Sequence, residues 1–375
     1  MKKIQMVDLQ SQYKHIKDKI DNSVINVIED ATFINGPSVK SFQKNLEDYL
    51  DIKHVIPCAN GTDALQIAMM GLNLKPGDEV ITADFTFAST VEVIALLNLT
   101  PVLVDVDLET FNIDCNKIKK AITSKTKAIV PVHLFGQPAK MEEIMEIANQ
   151  NNLFVIEDNA QAIGSEYQFS SGNNIKAGTI GDIGTTSFFP SKNLGCYGDG
   201  GALFTNNDDL AHTIRGIVNH GMYKRYHHDV VGVNSRLDSI QASILDIKLK
   251  LLDNYNSSRN KSARLYSENL KGNQNIILPS FKAEEKFHVF HQYTIRIINN
   301  KRDDLANYLS ESNIPFGIYY PIPLHRQKAY IDSRYNEDDF LNTNLLTQQV
   351  ISLPMHSELE PDQIRFICEK INTFL

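Results

Sequence analysis

Lys192 occupies a position where lysine is uncommon, because an apolar strand pattern leads directly into a glycine-bearing turn at residues 184–195. A lysine at the end of a buried strand either extends its amine to water or loses its charge by desolvation. A neutral amine can form a Schiff base with an aldehyde, which makes Lys192 a candidate nucleophile. An ordinary surface lysine that follows a strand is the alternative interpretation of this segment.

A carboxylate suited to the same chemistry follows the apolar run at residues 153–156, where Glu157 and Asp158 come next. Such runs indicate a buried parallel strand, and open α/β sheets bind ligands at the carboxyl ends of these strands. Pyridoxal phosphate needs a lysine for its aldehyde and a carboxylate beside its ring nitrogen, and Lys192 with Asp158 supplies that pair. From this motif alone, an N-cap role for Asp158 at a helix start is equally supported.

A candidate phosphate site lies where a short apolar strand runs through residues 60–63, Asn-Gly-Thr-Asp, into a helical pattern. The free N–H groups of a first helical turn and the Thr62 hydroxyl can hold a phosphate. A carboxylate would repel that anion, so we expect the Asp63 side chain to turn away and cap the helix while its N–H points at the phosphate. A capped helix that binds nothing is the alternative for this turn by itself.

Short apolar runs alternate with helix-like segments from about residue 53 to residue 210. The strand candidates among them lie at 78–82, 101–106, 127–132 and 153–157. This alternation predicts a mostly parallel sheet with helices on both faces. Beyond it, the pattern predicts long helices at 236–252 and 255–270. The remainder, with a strand at 287–297 and a helix at 361–374, predicts a smaller α+β domain.

Taken together, these motifs resemble the DegT/DnrJ/EryC1/StrS family of sugar aminotransferases, whose members have the fold type I architecture of pyridoxal-phosphate enzymes. The segments that carry the resemblance are 35–37, 60–65, 84–90, 132–136, 157–161, 187–192, 232–242 and 320–325. The resemblance implies an α/β fold like that of aspartate aminotransferase. A large cofactor-binding domain with an N-terminal helical segment would span residues 1–250, and a small C-terminal α+β domain would span residues 251–375.

The resemblance also implies roles for individual side chains around pyridoxal 5'-phosphate. Lys192 would form the Schiff base and later move the proton, while Asp158 would pair with the pyridinium nitrogen. Gln161 would face the phenolic oxygen of the ring. Phe87 would stack on the ring face, where an apolar plane excludes water. A position in the protein core is the alternative for Phe87.

The phosphate of the cofactor would be held, on the same resemblance, by the start of the helix and by a strand end. The residues concerned are Gly61, Thr62, Asp63 and Ser187, with Asn234 reaching across from a second subunit. Such shared sites make a homodimer the active unit. A strand hydroxyl bonded to backbone is the alternative role for Ser187.

Within the family, the chain is similar to enzymes that use L-glutamate to aminate C3 of UDP-2-acetamido-2-deoxy-3-oxo-glucuronate. This similarity implies that the Arg236 guanidinium lies near the sugar carboxylate, which its fork geometry fits well. Tyr319, Tyr320 and His325 would also contact the substrate. Where those enzymes have His-Tyr before Pro-Ile-Pro, this chain has Tyr319-Tyr320. A dTDP-linked 3- or 4-keto-6-deoxyhexose is the alternative substrate, because the triplet Asn-Ser-Arg occurs in its aminotransferases too.

Two activities of other kinds remain as alternatives at this point. Sugar dehydratases of the same fold have histidine at the position of Lys192, so the lysine argues against them. A non-catalytic regulator could keep the fold and lose turnover. The intact set Asp158, Gln161, Ser187 and Lys192 argues against such decay.

Composition excludes several other classes of protein. The formal net charge is −8, from 37 Lys and Arg against 45 Asp and Glu, and no basic block indicates a nucleic-acid partner. The four cysteines fall at no metal-ligand spacing and suit a reducing cytosol, so we expect a cytoplasmic protein. His227 and His228 are adjacent and lack a third ligand, so no metal is expected. No signal peptide or membrane span is expected either.

Overall fold

A computed structural model describes residues 2–280 and 287–375 of the chain. Its strands are β1 (His54–Cys58), β2 (Glu79–Ala83), β3 (Thr100–Val104), β4 (Thr126–Val130), β5 (Phe154–Asp158), β6 (Glu166–Gln168), β7 (Asn174–Lys176), β8 (Ile183–Ser187), β9 (Gly201–Thr205), β10 (Met222–Lys224), β11 (His227–His228), β12 (Ile276–Ile277), β13 (Tyr293–Ile297) and β14 (Val350–Leu353). Its α-helices are α1 (Leu9–Glu29), α2 (Pro37–Leu50), α3 (Gly61–Gly71), α4 (Ser89–Leu96), α5 (Cys115–Ala121), α6 (Met141–Asn151), α7 (Asp208–Ile217), α8 (Ser239–Leu249), α9 (Leu252–Leu270), α10 (Arg302–Glu311), α11 (Leu341–Gln349) and α12 (Pro361–Phe374).

The largest element is a seven-stranded sheet with the order β1-β9-β8-β5-β4-β2-β3. Strand β9 runs antiparallel to both of its neighbours, and the other pairs from β8 to β3 are parallel. The mostly parallel sheet predicted from the alternation is therefore confirmed. The predicted strands correspond to β2, β3, β4 and β5, whose observed ends lie within about two residues of the prediction, as element boundaries commonly do.

Helices cover both faces of this sheet and bury its apolar side chains. On one face α3, α4 and α7 pack around Val80 and Val130, and on the other α5 and α6 pack around Ile81 and Ile129. Neighbouring residues of a strand point to opposite faces, which is why each strand supplies both clusters. The carboxyl ends of β5 and β8 consequently lie side by side at one edge of a rigid layer.

A second sheet has the order β12-β13-β14, and α9, α10 and α12 pack against it around Tyr293 and Ile351. Helix α12 covers the predicted range 361–374, and α9 covers 255–270 with a start at Leu252. Helix α8 is shorter than the predicted 236–252, because extended Asp238 precedes it and Ser235 N–H bonds the Val218 carbonyl.

The strand predicted at 287–297 is confirmed only for β13. The residues before it are bonded elsewhere, since Val289 N–H donates to the Gly136 carbonyl and Gln292 N–H to that of Phe135. The proposed boundary at 250/251 falls between α8 and α9 and stays a prediction. Across residues 2–280 and 287–375, no helix has the length and apolar character needed to cross a membrane.

Candidate active site

A cavity of about 630 Å³ opens at the carboxyl ends of β5 and β8. The predicted site residues that line it are Gly61, Thr62, Phe87, Asp158, Gln161, Ser187, Lys192, Tyr319 and Tyr320. The remaining predicted residues, which are not among its lining residues, are Asp63, Asn234, Arg236 and His325. Folding thus brings residues from distant parts of the sequence around one space large enough for a small-molecule ligand.

Lys192 lies in the turn that follows β8, and its side chain is half-buried at the cavity. The turn is tight: Lys192 N–H donates to the Phe189 carbonyl at 2.8 Å, and a Cβ on Gly195 would lie 2.4 Å from the Pro190 carbonyl oxygen. Burial lowers the pKa of the Lys192 amine to about 8, although the charge of Asp158 acts in the opposite direction. A substantial fraction of the amine is therefore neutral near pH 8 and can act as nucleophile or base.

Asp158 is the last residue of β5 and is 5% exposed. Its Oδ2 accepts a hydrogen bond from the Thr90 hydroxyl at 2.9 Å, and its Oδ1 accepts one from Ala160 N–H at 3.2 Å. Burial raises the pKa of Asp158, and these two donors and the Lys192 charge oppose the rise. A turn rather than a helix follows the strand, so the N-cap interpretation of Asp158 is wrong.

Glu157, the other acid of the pair, serves the structure instead of the cavity. It is fully buried, and its carboxylate accepts hydrogen bonds from the His133 ring at 2.9 Å and from Gly178 N–H at 2.8 Å. Ile180 and Gly181 N–H groups also donate to it. Adjacent residues on a strand face opposite ways, so of these two acids Asp158 is the one that lines the cavity.

The start of α3 forms one end of the cavity. Asn60 is its N-cap, and the Asn60 side chain accepts from Asp63 N–H at 2.8 Å. Asp63 was predicted to cap the helix and to point its N–H at an anion. Both predictions are wrong, because Asn60 is the cap and its side chain accepts the hydrogen bond from Asp63 N–H. Gly61 and Thr62 come first in the helix, where N–H groups have no acceptor within the helix itself.

Gly61 permits close contact between this helix start and the end of β8. A Cβ at Gly61 would lie 2.6 Å from the Ser187 Cβ, closer than atoms can approach without a shift of backbone. Ser187, in turn, pairs with Gly201 of β9. The helix N-terminus and Ser187 are thus held together at the cavity, although the Ser187 hydroxyl also accepts from Phe189 N–H at 3.3 Å. The first N–H groups of a helix are donors suited to an anion.

Aromatic side chains form the opposite wall. Phe87 is 57% exposed, which rules out the core position considered for it, and its ring centroid lies 6.3 Å from that of Tyr320. Gln161 Oε1 accepts from Phe135 N–H at 2.7 Å, and its Nε2 donates to the Tyr320 hydroxyl at 3.2 Å. Gln161 and Tyr320 therefore fix each other beside an aromatic face that is open to a ligand.

His325 does not line the cavity, and the prediction of a direct substrate contact is corrected. The side chain is 8% exposed, with its Nδ1 bonded to Asp84 Oδ2 at 2.7 Å and its ring stacked on Phe340. Asn234 and Arg236 lie on the segment between β11 and α8, where Asn234 is exposed and pairs with Asn219. Both remain predictions for a site completed by a second subunit.

The sequence interpretation missed several residues of this site. Thr90 lies within the motif at 84–90, but its bond to Asp158 depends on packing between α4 and β5. His291 and Gln292 line the cavity from the segment that was predicted as strand. His291 and Gln292 are adjacent polar residues in a largely apolar run. This pattern could have identified them, because buried polar side chains need partners.

Residues 14–372 match the model of the DegT/DnrJ/EryC1/StrS aminotransferase family. The chain belongs to this family. Solved structures that match nearly the whole chain share its architecture, so the predicted fold type I, α/β class is confirmed. One example is NtdA from Bacillus subtilis with bound cofactor PMP, with a TM-score of 0.88, 32% identity, and coverage of 98% of this chain and 82% of that one.

Two curated relatives are similar over almost their entire length. The UDP-2-acetamido-2-deoxy-3-oxo-D-glucuronate aminotransferase of Pseudomonas aeruginosa is 44% identical over 365 residues, 97% of this chain and 98% of that protein. The pleiotropic regulatory protein of Geobacillus stearothermophilus is 43% identical over 372 residues, 99% of this chain and 98% of that protein. The family resemblance predicted from the motifs is confirmed by these matches.

Proposed function

We propose that this chain uses pyridoxal 5'-phosphate to transfer the amino group of L-glutamate to a nucleotide-linked ketosugar. The observation that carries the proposal is the convergence on one cavity of Lys192, whose pKa is lowered to about 8, and the buried carboxylate of Asp158. A buried lysine whose amine loses its charge easily, in the same cavity as a buried acid, is typical of amine chemistry.

The cavity has the features that this cofactor requires. The first turn of α3 and the Ser187 hydroxyl suit its phosphate, and Gly61 leaves the space between them free of a side chain. Asp158 can hold the proton on a ring nitrogen, and the exposed face of Phe87 can cover an aromatic ring. PMP bound in the related NtdA structure supports the same choice.

The chemistry divides between the cofactor and the chain. Pyridoxal phosphate supplies an aldehyde that takes up the amine and a ring that serves as an electron sink. The Lys192 amine, neutral in part near pH 8, accepts a proton at Nζ from the α-carbon of the amino donor and later returns one to the sugar. Asp158 stabilises positive charge at the ring nitrogen, while Phe87 and Tyr320 exclude water from one side.

We propose UDP-2-acetamido-2-deoxy-3-oxo-glucuronate, aminated at C3, as the sugar. The 44% identity to the Pseudomonas aeruginosa enzyme for that compound supports this choice, and a guanidinium at Arg236 complements a uronate carboxylate. The product would enter lipopolysaccharide or O-antigen synthesis in the cytoplasm, where the free cysteines of the chain would stay reduced. A dTDP-linked keto-6-deoxyhexose is the alternative sugar.

We further propose that the active unit is a homodimer. Asn234 and Arg236 lie outside the cavity of their own chain. The stretch from residue 225 to residue 236 also carries Tyr226 and Val231, which are 76% and 85% exposed. Exposed apolar groups of that size are typical of surfaces that meet a partner. A second copy of the chain would bring Asn234 to the phosphate and Arg236 to the sugar of the opposite cavity.

A regulatory role is the second candidate, and the 43% identity to a pleiotropic regulatory protein favours it. The retention of Lys192, Asp158, Thr62 and Ser187 around one cavity argues for turnover, because a pure regulator does not need the lysine amine. The reaction with L-glutamate distinguishes the two functions, because an aminotransferase converts L-glutamate to 2-oxoglutarate and a regulator leaves it unchanged.

Arg236→Ala is expected to distinguish the two candidate sugars. If Arg236 faces a carboxylate in a partly desolvated pocket, its truncation leaves that charge unpaired and costs about 2–5 kcal/mol of binding. Activity on the UDP-linked 3-oxo-uronate should fall, while any activity on a dTDP-linked keto-6-deoxyhexose should be spared. Paired kinetics of wild type and variant on the two sugars, with products identified by mass spectrometry, measure the difference.

The matched control is Arg365→Ala, which removes an exposed arginine that pairs with Asp362 on α12. This variant should keep wild-type kinetics on both sugars. Equal loss on both sugars in Arg236→Ala would mean that the arginine supports its own loop, and the uronate assignment of this residue would then fail.

A further inference from the structure

Asp84 is a buried acid outside the cavity, and it bonds a segment more than two hundred residues away in the sequence. Its side chain is 0% exposed; Oδ1 accepts from His325 N–H at 2.8 Å, and Oδ2 bonds the His325 ring Nδ1 at 2.7 Å. The Asp84 carbonyl also accepts from Leu324 N–H at 3.2 Å. One residue thus binds the backbone and the side chain of its distant partner.

The segment it holds, residues 317–326, spans the two sheets, and we name it the strap. At its first end Gly317 pairs with Ser352 of β14, with N–H to carbonyl distances of 3.0 and 2.7 Å. At its second end Leu324 and His325 bond Asp84, which directly follows β2, and the His325 ring also bonds Glu337 at 3.4 Å. Between the two anchors lie Tyr319 and Tyr320, which line the cavity.

Asp84 is also close in sequence to the aromatic wall of the cavity, because Phe85 follows it directly and Phe87 comes two residues later. The Tyr320 ring centroid lies 5.9 Å from that of Phe85 and 6.3 Å from that of Phe87. His325 in turn is fixed by stacking on Phe340, with centroids 4.3 Å apart. The same carboxylate therefore connects the loop that carries Phe87 with the strap that carries Tyr320.

The protonation of the pair does not alter this connection. Burial raises the pKa of Asp84. Burial lowers the pKa of His325, but the hydrogen bonds and charges of Asp84 and Glu337 raise it by more, so the His325 pKa is raised overall. Whichever group holds the shared proton, a hydrogen bond joins them, and the bond from His325 N–H persists. An acid buried this completely without a partner would be strongly destabilising, so the pair is kept closed.

We infer that the Asp84–His325 pair is a positioning element that holds Tyr319 and Tyr320 beside Phe87 at the cavity, and so sets the fit of the nucleotide sugar. The inference rests on the proposed function for the identity of that ligand. It assigns no contact with the ligand to either residue. Loss of the pair should release the second end of the strap, while Asp158 on β5 and Lys192 in the turn after β8 stay in place.

Hydrogen exchange tests the structural part of the inference. In Asp84→Ala, amides of residues 318–326 should exchange at least about tenfold faster than in wild type, while those of β13 should not change. Asp84→Asn should lie between the two, because its amide oxygen can still accept from His325 N–H. Unchanged exchange in the strap of Asp84→Ala would overturn the inference.

Binding tests the functional part, with UDP-2-acetamido-2-deoxy-glucuronate as a probe that cannot be aminated. Its Kd, measured by calorimetry on the cofactor-loaded protein, should rise about tenfold in Asp84→Ala and less in Asp84→Asn, as expected when a hydrogen bond to a charged group is lost. Asp362→Asn, which changes an exposed acid on α12, is the matched control and should bind as wild type does.

The glutamate half-reaction separates this inference from the proposed function. Asp84→Asn should convert L-glutamate at the wild-type rate, because Tyr319 and Tyr320 are proposed to contact the sugar and Asp84 itself does not line the cavity. If glutamate conversion slows by the same factor as sugar binding weakens, the pair has a general structural role and the inference is overturned. The inference is also overturned if the strap exchanges faster but the Kd for the probe is unchanged. If the wild-type protein does not bind the probe, the proposed identity of the sugar is wrong. Hydrogen exchange in the strap still decides whether the Asp84–His325 pair holds the strap in place.

Discussion

Lys192→Ala is expected to abolish amino transfer while the protein stays folded and keeps part of its affinity for pyridoxal phosphate. The amine is needed twice, as the group that binds the aldehyde and as the base that moves the proton, so turnover should fall by at least about 10⁴-fold. The residues proposed to contact the phosphate and ring, which are Thr62, Ser187 and Asp158, line the same cavity and are left in place by the substitution. Steady-state kinetics and equilibrium dialysis of the cofactor measure the two effects.

Two comparisons make this result specific to the amine. Lys44→Ala removes a lysine that is 67% exposed and pairs with Asp48, and it should leave turnover unchanged. Added methylamine should restore part of the activity of Lys192→Ala, because a small amine can enter the space vacated by the side chain. Turnover near the wild-type rate in Lys192→Ala would remove the lysine from the mechanism.

Asp158→Asn is expected to slow the reaction with L-glutamate by about 10²–10⁴-fold in a single turnover. The substitution preserves shape but removes the charge opposite the protonated ring, and breaking a buried charge pair costs about 3–5 kcal/mol. Cofactor affinity should fall less, since the phosphate contacts are unchanged. Rapid mixing of loaded protein with L-glutamate, followed by absorbance, gives the rate.

Thr90→Val is the matched control for this experiment. It removes the hydroxyl that donates to Asp158 Oδ2 at 2.9 Å but keeps both the carboxylate charge and the local volume. A loss of about tenfold is expected, the size of one hydrogen bond to a charged group. An Asp158→Asn variant as fast as wild type would show that the acid has only a structural role.

The parts of the site that follow local rules could be predicted from the sequence. The apolar run before Asp158 forms β5 because a strand buried on both faces needs continuous apolar residues. Lys192 reaches the cavity because β8 ends beside β5 and a tight turn follows it. Parallel neighbours bring their carboxyl ends to one edge, which explains why these two residues meet. The pairing itself was predicted from what pyridoxal phosphate requires, and the strand order was not.

Errors arose where two interactions compete for one group or where the partner is distant in sequence. Asp63 and Asn60 are both good capping residues, and the cap went to Asn60, which precedes the first helical residue. The residues before β13 have a strand-like composition but donate their N–H groups to residues 135 and 136. His325 has the appearance of a substrate ligand, and its bond to Asp84 depends on a contact that no local pattern encodes.

The reaction of the wild-type protein with L-glutamate alone tests the central claim most directly. Protein loaded with pyridoxal phosphate is mixed with L-glutamate in the absence of any sugar, and the visible absorption band and released 2-oxoglutarate are followed together. We expect the band to disappear and 2-oxoglutarate to form in an amount equal to the sites loaded. A band that persists at saturating L-glutamate, with no 2-oxoglutarate formed, would contradict that claim.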